Sequence, residues 1–243
     1  VPFAATGLIV LAWVRWVERR SLASIGLGRA EALQRFLRGL AIGVATALAV
    51  VVAIWAAGGY AVQGYAPAFA APVSLAHITV LLLCFIVQAG AEEILFRGWM
   101  LSAVARKFNV ATGIAFTTAV FALLHFDRQS PWHDVLLSAL FSLFACLWAL
   151  REGSIWGVMG WHATWNWLLA VGFEVPITGL DSYTPALLVK LVPQGSRYLN
   201  GGPVGPEGSL LCLAFFLIAS AWLLWRYFSS SGSSSGSPSV QRP

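Results

Sequence analysis

The sequence predicts an all-α, polytopic transmembrane helical bundle of about six full spans plus a truncated N-terminal span. Three observations predict it. Hydrophobic residues make up 58% of the 243-residue chain and charged residues only 10%, against about 25% charged in a soluble domain. Six apolar stretches have the length of membrane helices. None shows the alternating polarity over about 10 residues that a transmembrane β-barrel requires, and open sheet edges are excluded from lipid.

Residues Pro2 to Val14 are apolar but number only 13, whereas a full span takes about 20. They lack the basic start and small-residue cleavage site of a signal peptide. The expectation is the remnant of a span whose start has been trimmed. The full spans follow at approximately Gly39–Trp55, Ala76–Ala105, Val110–Phe126, Val135–Leu150, Ile155–Phe173 and Ser209–Trp225. Small-residue spacings such as Gly153 to Gly157 suit close helix packing.

The loops give an orientation. Arg15, Arg19, Arg20, Arg29, Arg35 and Arg38 lie between the first two spans, and the stretch from Gly58 to Val73 is uncharged. The positive-inside rule then places Arg15–Arg38, Arg106–Lys107, Arg151 and Arg226 in the cytoplasm. The long Gly- and Pro-rich loop of residues 174–208, with Lys190 and Arg197, is expected to be a partly ordered extracytoplasmic cap. The Ser/Gly segment 229–243 is expected to be disordered. The chain therefore reads as one membrane-embedded domain over 1–228, with a core at 76–173, and a tail.

The formal charge of +5 reflects cytoplasmic loops; no basic patch interleaved with aromatics suggests a nucleic-acid partner. Cys84, Cys146 and Cys212 lie in apolar stretches without a CxxC spacing and read as packing residues.

Of ten carboxylates, only Glu92 and Glu93 lie within an apolar span, with Arg97 beside them. A charge at mid-bilayer costs about 2.5–3.5 kcal/mol even on lenient scales, so function is the default explanation. Glu93 and Arg97 are four residues apart and can pair on one helix face. Glu92 is rotated by about 100° and can face another part of the bundle. In an apolar site its pKa would rise toward the range useful to a general base. The bland alternative is a structural Glu–Glu–Arg cluster.

His125, at the end of Phe121-Ala-Leu-Leu-His125, can be read as an interfacial histidine at a helix end. His162 and Asn166 share one face of another span. They can glue helices or hold a developing oxyanion. At about 1.5 Å per residue, Glu92 and His125 each lie about 22 Å from their helix ends, and His162 about 16 Å, so all three can meet at one depth. A carboxylate, two histidines and an asparagine suggest water activation and carbonyl polarisation, the needs of amide hydrolysis. No HExxH, no spanning aspartate and no GxSxG elbow supports another protease chemistry.

Glu92-Glu93-Ile-Leu-Phe-Arg97 fits EExxxR, Phe121 to His125 fits FxxxH, and His162 to Asn166 fits HxxxN. Three such motifs in this order on three spans resemble the CPBP family. It comprises type II CAAX prenyl endopeptidases and bacteriocin-processing enzymes and is also called the Abi family. The resemblance implies a glutamate-type intramembrane protease. In it Glu92 and His125 would activate water, and His162 and Asn166 would stabilise the oxyanion. Glu93, Arg97 and Phe121 would support the site. It implies a peptide or protein substrate, lipidated or not, and residence in a lipid bilayer. The basic loops and lack of targeting motifs suggest the bacterial inner membrane. The leading expectation uses no cofactor. Two alternatives keep the same residues: a zinc protease with Glu92, His125 and His162 as ligands, and a non-catalytic immunity or peptide-binding membrane protein.

Overall fold

In a computed structural model, residues 2–126, 132–177 and 184–232 are described. Nine α-helices carry the chain there: α1 (Pro2–Ala12), α2 (Ala32–Ala56), α3 (Pro72–Glu93), α4 (Leu101–Lys107), α5 (Val110–Leu124), α6 (Trp132–Glu152), α7 (Trp156–Gly172), α8 (Arg197–Asn200) and α9 (Leu210–Gly232). Four helical runs are long and apolar enough to cross a bilayer: Ala32–Ala56, Pro72–Lys107, Val135–Glu152 and Gly202–Arg226.

Four of the six expected spans are thus helices of full length among the described residues, and the other two are shorter. α5 has 15 residues and α7 has 17, so at about 1.5 Å per residue neither reaches the 30 Å of hydrocarbon without help. α7 needs no lipid contact. Apart from Trp156, Asn166 and Trp167, every one of its residues is buried, and a helix apolar all round belongs inside the bundle. At the N-terminus, π-helical turns at Trp13–Val17 extend α1. At the other end α9 runs to Gly232, into the segment expected as a tail; 233–243 lie outside the described residues.

Helix α7 can be central because glycines let α2 approach it. A Cβ on Gly39 would lie 2.0 Å from the Gly157 carbonyl oxygen, and one on Gly160 would lie 2.2 Å from that of Phe36. Thr164 Oγ1 donates across the same contact to the Leu40 carbonyl at 2.9 Å. Gly39 and Gly43 form a GxxxG pair on α2, the spacing that brings helix backbones together in membranes. On the far side, α7 packs on α3, while α5, α6 and α9 close the bundle.

Helix α1 leans on α3, where Gly7 meets Ala91. Glu18 locks its end. The carboxylate accepts from Trp99 Nε1 at 2.7 Å, Trp13 Nε1 at 3.1 Å and Arg20 Nη1 at 2.9 Å.

A two-stranded antiparallel ribbon caps the bundle. Strand β1 (Tyr60–Tyr65) follows α2, and strand β2 (Val189–Pro193) lies in the long loop. Ala61 faces Val192, Val62 faces Leu191, and a bulge falls between Val62 and Gly64. The backbone N–H groups of Leu187 and Leu188 also donate to the last carbonyls of α7, at Val171 and Gly172. Those carbonyls are orphans at a helix end, so the cap finishes α7. Lys190 and Glu174 pair at 2.6 Å beside it.

Candidate active site

The motif-bearing run Pro72–Lys107 is not a uniform α-helix. Beyond Glu93 it becomes π-helical from Ile94 to Met100. Such wide turns recur at functional sites. The widened turn holds Arg97 and Gly98 in the core, and a Cβ on Gly98 would lie 3.0 Å from the Ile25 carbonyl oxygen.

Glu93 and Arg97 are fully buried and pair through Arg97 Nη1 and Glu93 Oε1 at 3.0 Å. The same oxygen accepts from His162 Nδ1 at 2.7 Å. Because that oxygen already accepts from arginine, His162 Nδ1 is the donor. The other ring nitrogen, Nε2, is turned toward Glu92, 3.9 Å from Oε2. So one carboxylate fixes the arginine and the imidazole together, and the other faces that imidazole across a gap. A charge-assisted contact of this kind fixes ring orientation more firmly than a neutral one.

Glu92 Oε1 accepts from Gln88 Nε2 at 2.6 Å. Gln88 Oε1 in turn accepts from Asn166 Nδ2 at 3.2 Å. Gln88 thus links Glu92 on α3 to Asn166 on α7. Glu92 Oε2 has no hydrogen-bond partner among the described residues.

His125 caps the C-terminus of α5. Its Nδ1 lies 2.8 Å from the Phe121 carbonyl oxygen. A carbonyl only accepts, so Nδ1 carries the proton and Nε2 of the neutral ring is an acceptor. The imidazole stacks on Phe121, centroids 4.2 Å apart and planes 25° apart. Arg97 lies on Phe121 too, 4.5 Å from the ring centroid. Phe121 therefore meets both the buried guanidinium and His125.

Glu92, His125, His162 and Asn166 all line one cavity, with Gln88, Phe121 and Phe141 in its walls. The structure thus brings together the four residues singled out as catalytic candidates. Glu93 and Arg97 stand behind them: Glu93 holds His162, Arg97 holds Glu93, and neither lines the cavity. A second opening between α1, α3 and α5 is also lined by Glu92 and His125, with Phe3 and Thr6 opposite.

Sequence reasoning missed three polar residues here, Gln88, Ser138 and Glu207. Gln88 carried a signal, since it lies one helical turn before Glu92 in an apolar span. Glu207 carried none. It comes from the end of the long loop, in a 3₁₀ segment Gly202–Gly208, and lines the cavity while accepting from Trp165 Nε1 at 2.9 Å.

The zinc alternative needs three protein ligands around one point. Among the described residues no three His, Cys, Asp or Glu side chains are arranged to hold a metal ion.

Residues 72–168 match a family model described as type II CAAX prenyl endopeptidase, Rce1-like. The matched region holds all three motifs and ends within α7. No solved structure matches the chain.

Proposed function

We propose, from the match of residues 72–168 to the Rce1-like type II CAAX prenyl endopeptidase model, that the protein is a peptidase of this kind, which hydrolyses a peptide bond of a membrane-associated protein or peptide using Glu92 and His125 to activate water. The observation that carries the assignment is the single cavity lined by Glu92, His125, His162 and Asn166. The expected setting is the bacterial inner membrane.

The chemistry follows from which atoms face the cavity. A water held by Glu92 Oε2 loses its proton to Glu92 or to His125 Nε2 as its oxygen attacks the scissile carbonyl. The carbonyl oxygen becomes an oxyanion. Asn166 Nδ2 is an amide donor suited to it, and so is His162 Nε2 when that nitrogen carries a proton. Collapse breaks the C–N bond, and the captured proton passes to the leaving amine. One water is consumed, and one carboxylate and one amine are formed. Glu93 and Arg97 act through His162, by setting its tautomer and orientation. The reading uses no metal ion.

The substrate class follows from the family name and the setting: a peptide anchored at the bilayer, with a lipid on or near the scissile bond. Purified protein in detergent tests this on quenched fluorescent peptides, prenylated and unprenylated, with and without chelator. Glu92→Gln and His125→Ala are each expected to lower kcat by about 10²–10⁴-fold, the usual contribution of a positioned acid or base. Chelator is expected to leave the wild-type rate unchanged. Loss of cleavage on chelation would replace this mechanism by the zinc one. Full in vivo complementation by Glu92→Gln would replace it by a binding or immunity role.

A further inference from the structure

A groove larger than the cavity that holds Glu92, His162 and Asn166 opens elsewhere in the described structure. It lies between α2, α6 and α9 and encloses about 670 Å³. Its inner wall is apolar and aromatic: Ile42, Phe144, Trp148, Phe215, Trp222 and Leu223. Its mouth carries three arginines, Arg35, Arg38 and Arg151, against two glutamates, Glu31 and Glu152.

The charges are not equally available. Glu152 is turned inward, only 7% exposed, and takes contacts from Arg35, Arg38 and Trp148 Nε1. Arg35 is occupied by Glu31 and by the Glu152 backbone carbonyl. Arg38 is more than half exposed. Arg151 is exposed and pairs with no carboxylate among the described residues; its guanidinium lies 5.7 Å from the Trp222 ring centroid. The mouth therefore carries three arginines against two glutamates, and its exposed cations are Arg38 and Arg151; Glu152 is turned inward, while Glu31 is exposed and held by Arg35.

Length narrows the occupant further. From Arg35 at the mouth to Thr46 at the inner end the groove follows α2 for 11 residues, about 16 Å at 1.5 Å per residue. One leaflet of a bilayer core is about 15 Å deep. Half-exposed Trp222 stands at the charged end, where interfacial tryptophans sit.

We propose that the α2–α6–α9 groove binds one anionic phospholipid of the surrounding leaflet, its phosphate on Arg38 and Arg151 and an acyl chain along the Phe144–Phe215 wall. Basic pockets between transmembrane helices recognise headgroups in this way. The lipid lies against the catalytic helix. Phe144 packs on Trp161 with centroids 4.9 Å apart, and Trp161 Nε1 donates to Thr46 Oγ1 at the groove's inner end. Trp161 precedes His162 in α7.

The test is native mass spectrometry of the 243-residue chain in detergent, titrated with phosphatidylglycerol, with phosphatidylcholine of identical chains, and with glycerol phosphate. Phosphatidylglycerol is expected to bind at one preferred site, to outcompete phosphatidylcholine, and to be undisturbed by glycerol phosphate. Arg38→Ala/Arg151→Ala is expected to weaken it about thirtyfold, two arginines' worth of surface attraction. Arg38→Lys/Arg151→Lys keeps the charge and retains most of the binding, which separates the site from a folding defect. Ala219→Trp fills the groove without touching a charge and is expected to abolish the preferred site. Arg106→Ala, a basic residue outside the groove, leaves binding unchanged. Equal binding of the two lipids, wild-type binding by the double alanine variant or by Ala219→Trp, or an equal loss in Arg106→Ala would overturn the proposal.

Discussion

Glu93 is the carboxylate that the bundle neutralises, and Glu92 is the one it leaves facing the cavity. The division rests on one residue of helical offset. Glu93 points at Arg97 and His162 with no exposed surface, while Glu92 stays partly open beside Gln88. Removing one partner of a buried pair strands the other charge, at a cost of about 3–5 kcal/mol. Glu93→Gln is thus expected to lower both thermal stability and turnover. Glu93→Gln/Arg97→Met is expected to recover much of the stability and none of the turnover, because His162 still lacks its carboxylate partner. Melting curves in detergent beside peptide cleavage read both. A Glu93→Gln protein that melts like wild type would show that the pair is not what holds α3 against α7.

The α2–α7 contact depends on missing side chains. Gly160→Leu would drive a Cβ into the Phe36 carbonyl, 2.2 Å away, and backbone cannot yield as a side chain can. Overpacking of this kind costs about 1–3 kcal/mol or more. The variant is expected to melt early and lose activity by displacing His162 and Asn166. Gly64→Ala, where a Cβ meets nothing within 4 Å, is the control expected to behave as wild type. Helix α1 is held differently, by Glu18. Burial pushes its carboxyl up, but hydrogen bonds from Arg20, Trp99 and Trp13 outweigh this and hold it below its ordinary 4.5. A depressed folded value means that the stabilisation is complete above the ordinary value and is lost as pH falls through the folded one. Hydrogen exchange in α1 should therefore rise selectively as pH falls below the ordinary 4.5 in wild type, and Glu18→Gln should remove that step. An acid transition of equal size in Glu18→Gln would assign it to another group.

Across the whole molecule, the cap and the membrane helices act as one unit. Strands β1 and β2 come from segments more than a hundred residues apart, and their flanks finish α7 and bring Glu207 to the cavity wall. Ala61→Cys/Val192→Cys, placed on facing residues in a Cys84→Ser background, is expected to crosslink on oxidation and to leave cleavage intact. Failure to crosslink would count against the register, and a crosslinked protein that no longer cleaves would show that the ribbon must separate during turnover.

Much of this protein was legible in its sequence, because its strongest constraints are local. Apolar runs declare membrane helices, since lipid offers backbone groups no other partner. An i to i+4 spacing declares the Glu93–Arg97 pair, and three spaced motifs mark the residues of the cavity. Orphan charge in an apolar run needs no fold to be noticed. What tertiary structure alone decided is everything set by contacts distant in sequence. The near-complete burial of α7, a 17-residue helix, was decided by its packing against the other helices. The ribbon was hidden because its strands are short and gain stability only from each other and from the ends of α2 and α7. Glu207 was hidden because a loop residue carries no periodicity. His162 could be singled out in the sequence as a candidate site residue. That its Nδ1 belongs to Glu93 and its Nε2 to the cavity required the packing of α7 against α3, because ring orientation is fixed by whichever neighbour the fold supplies.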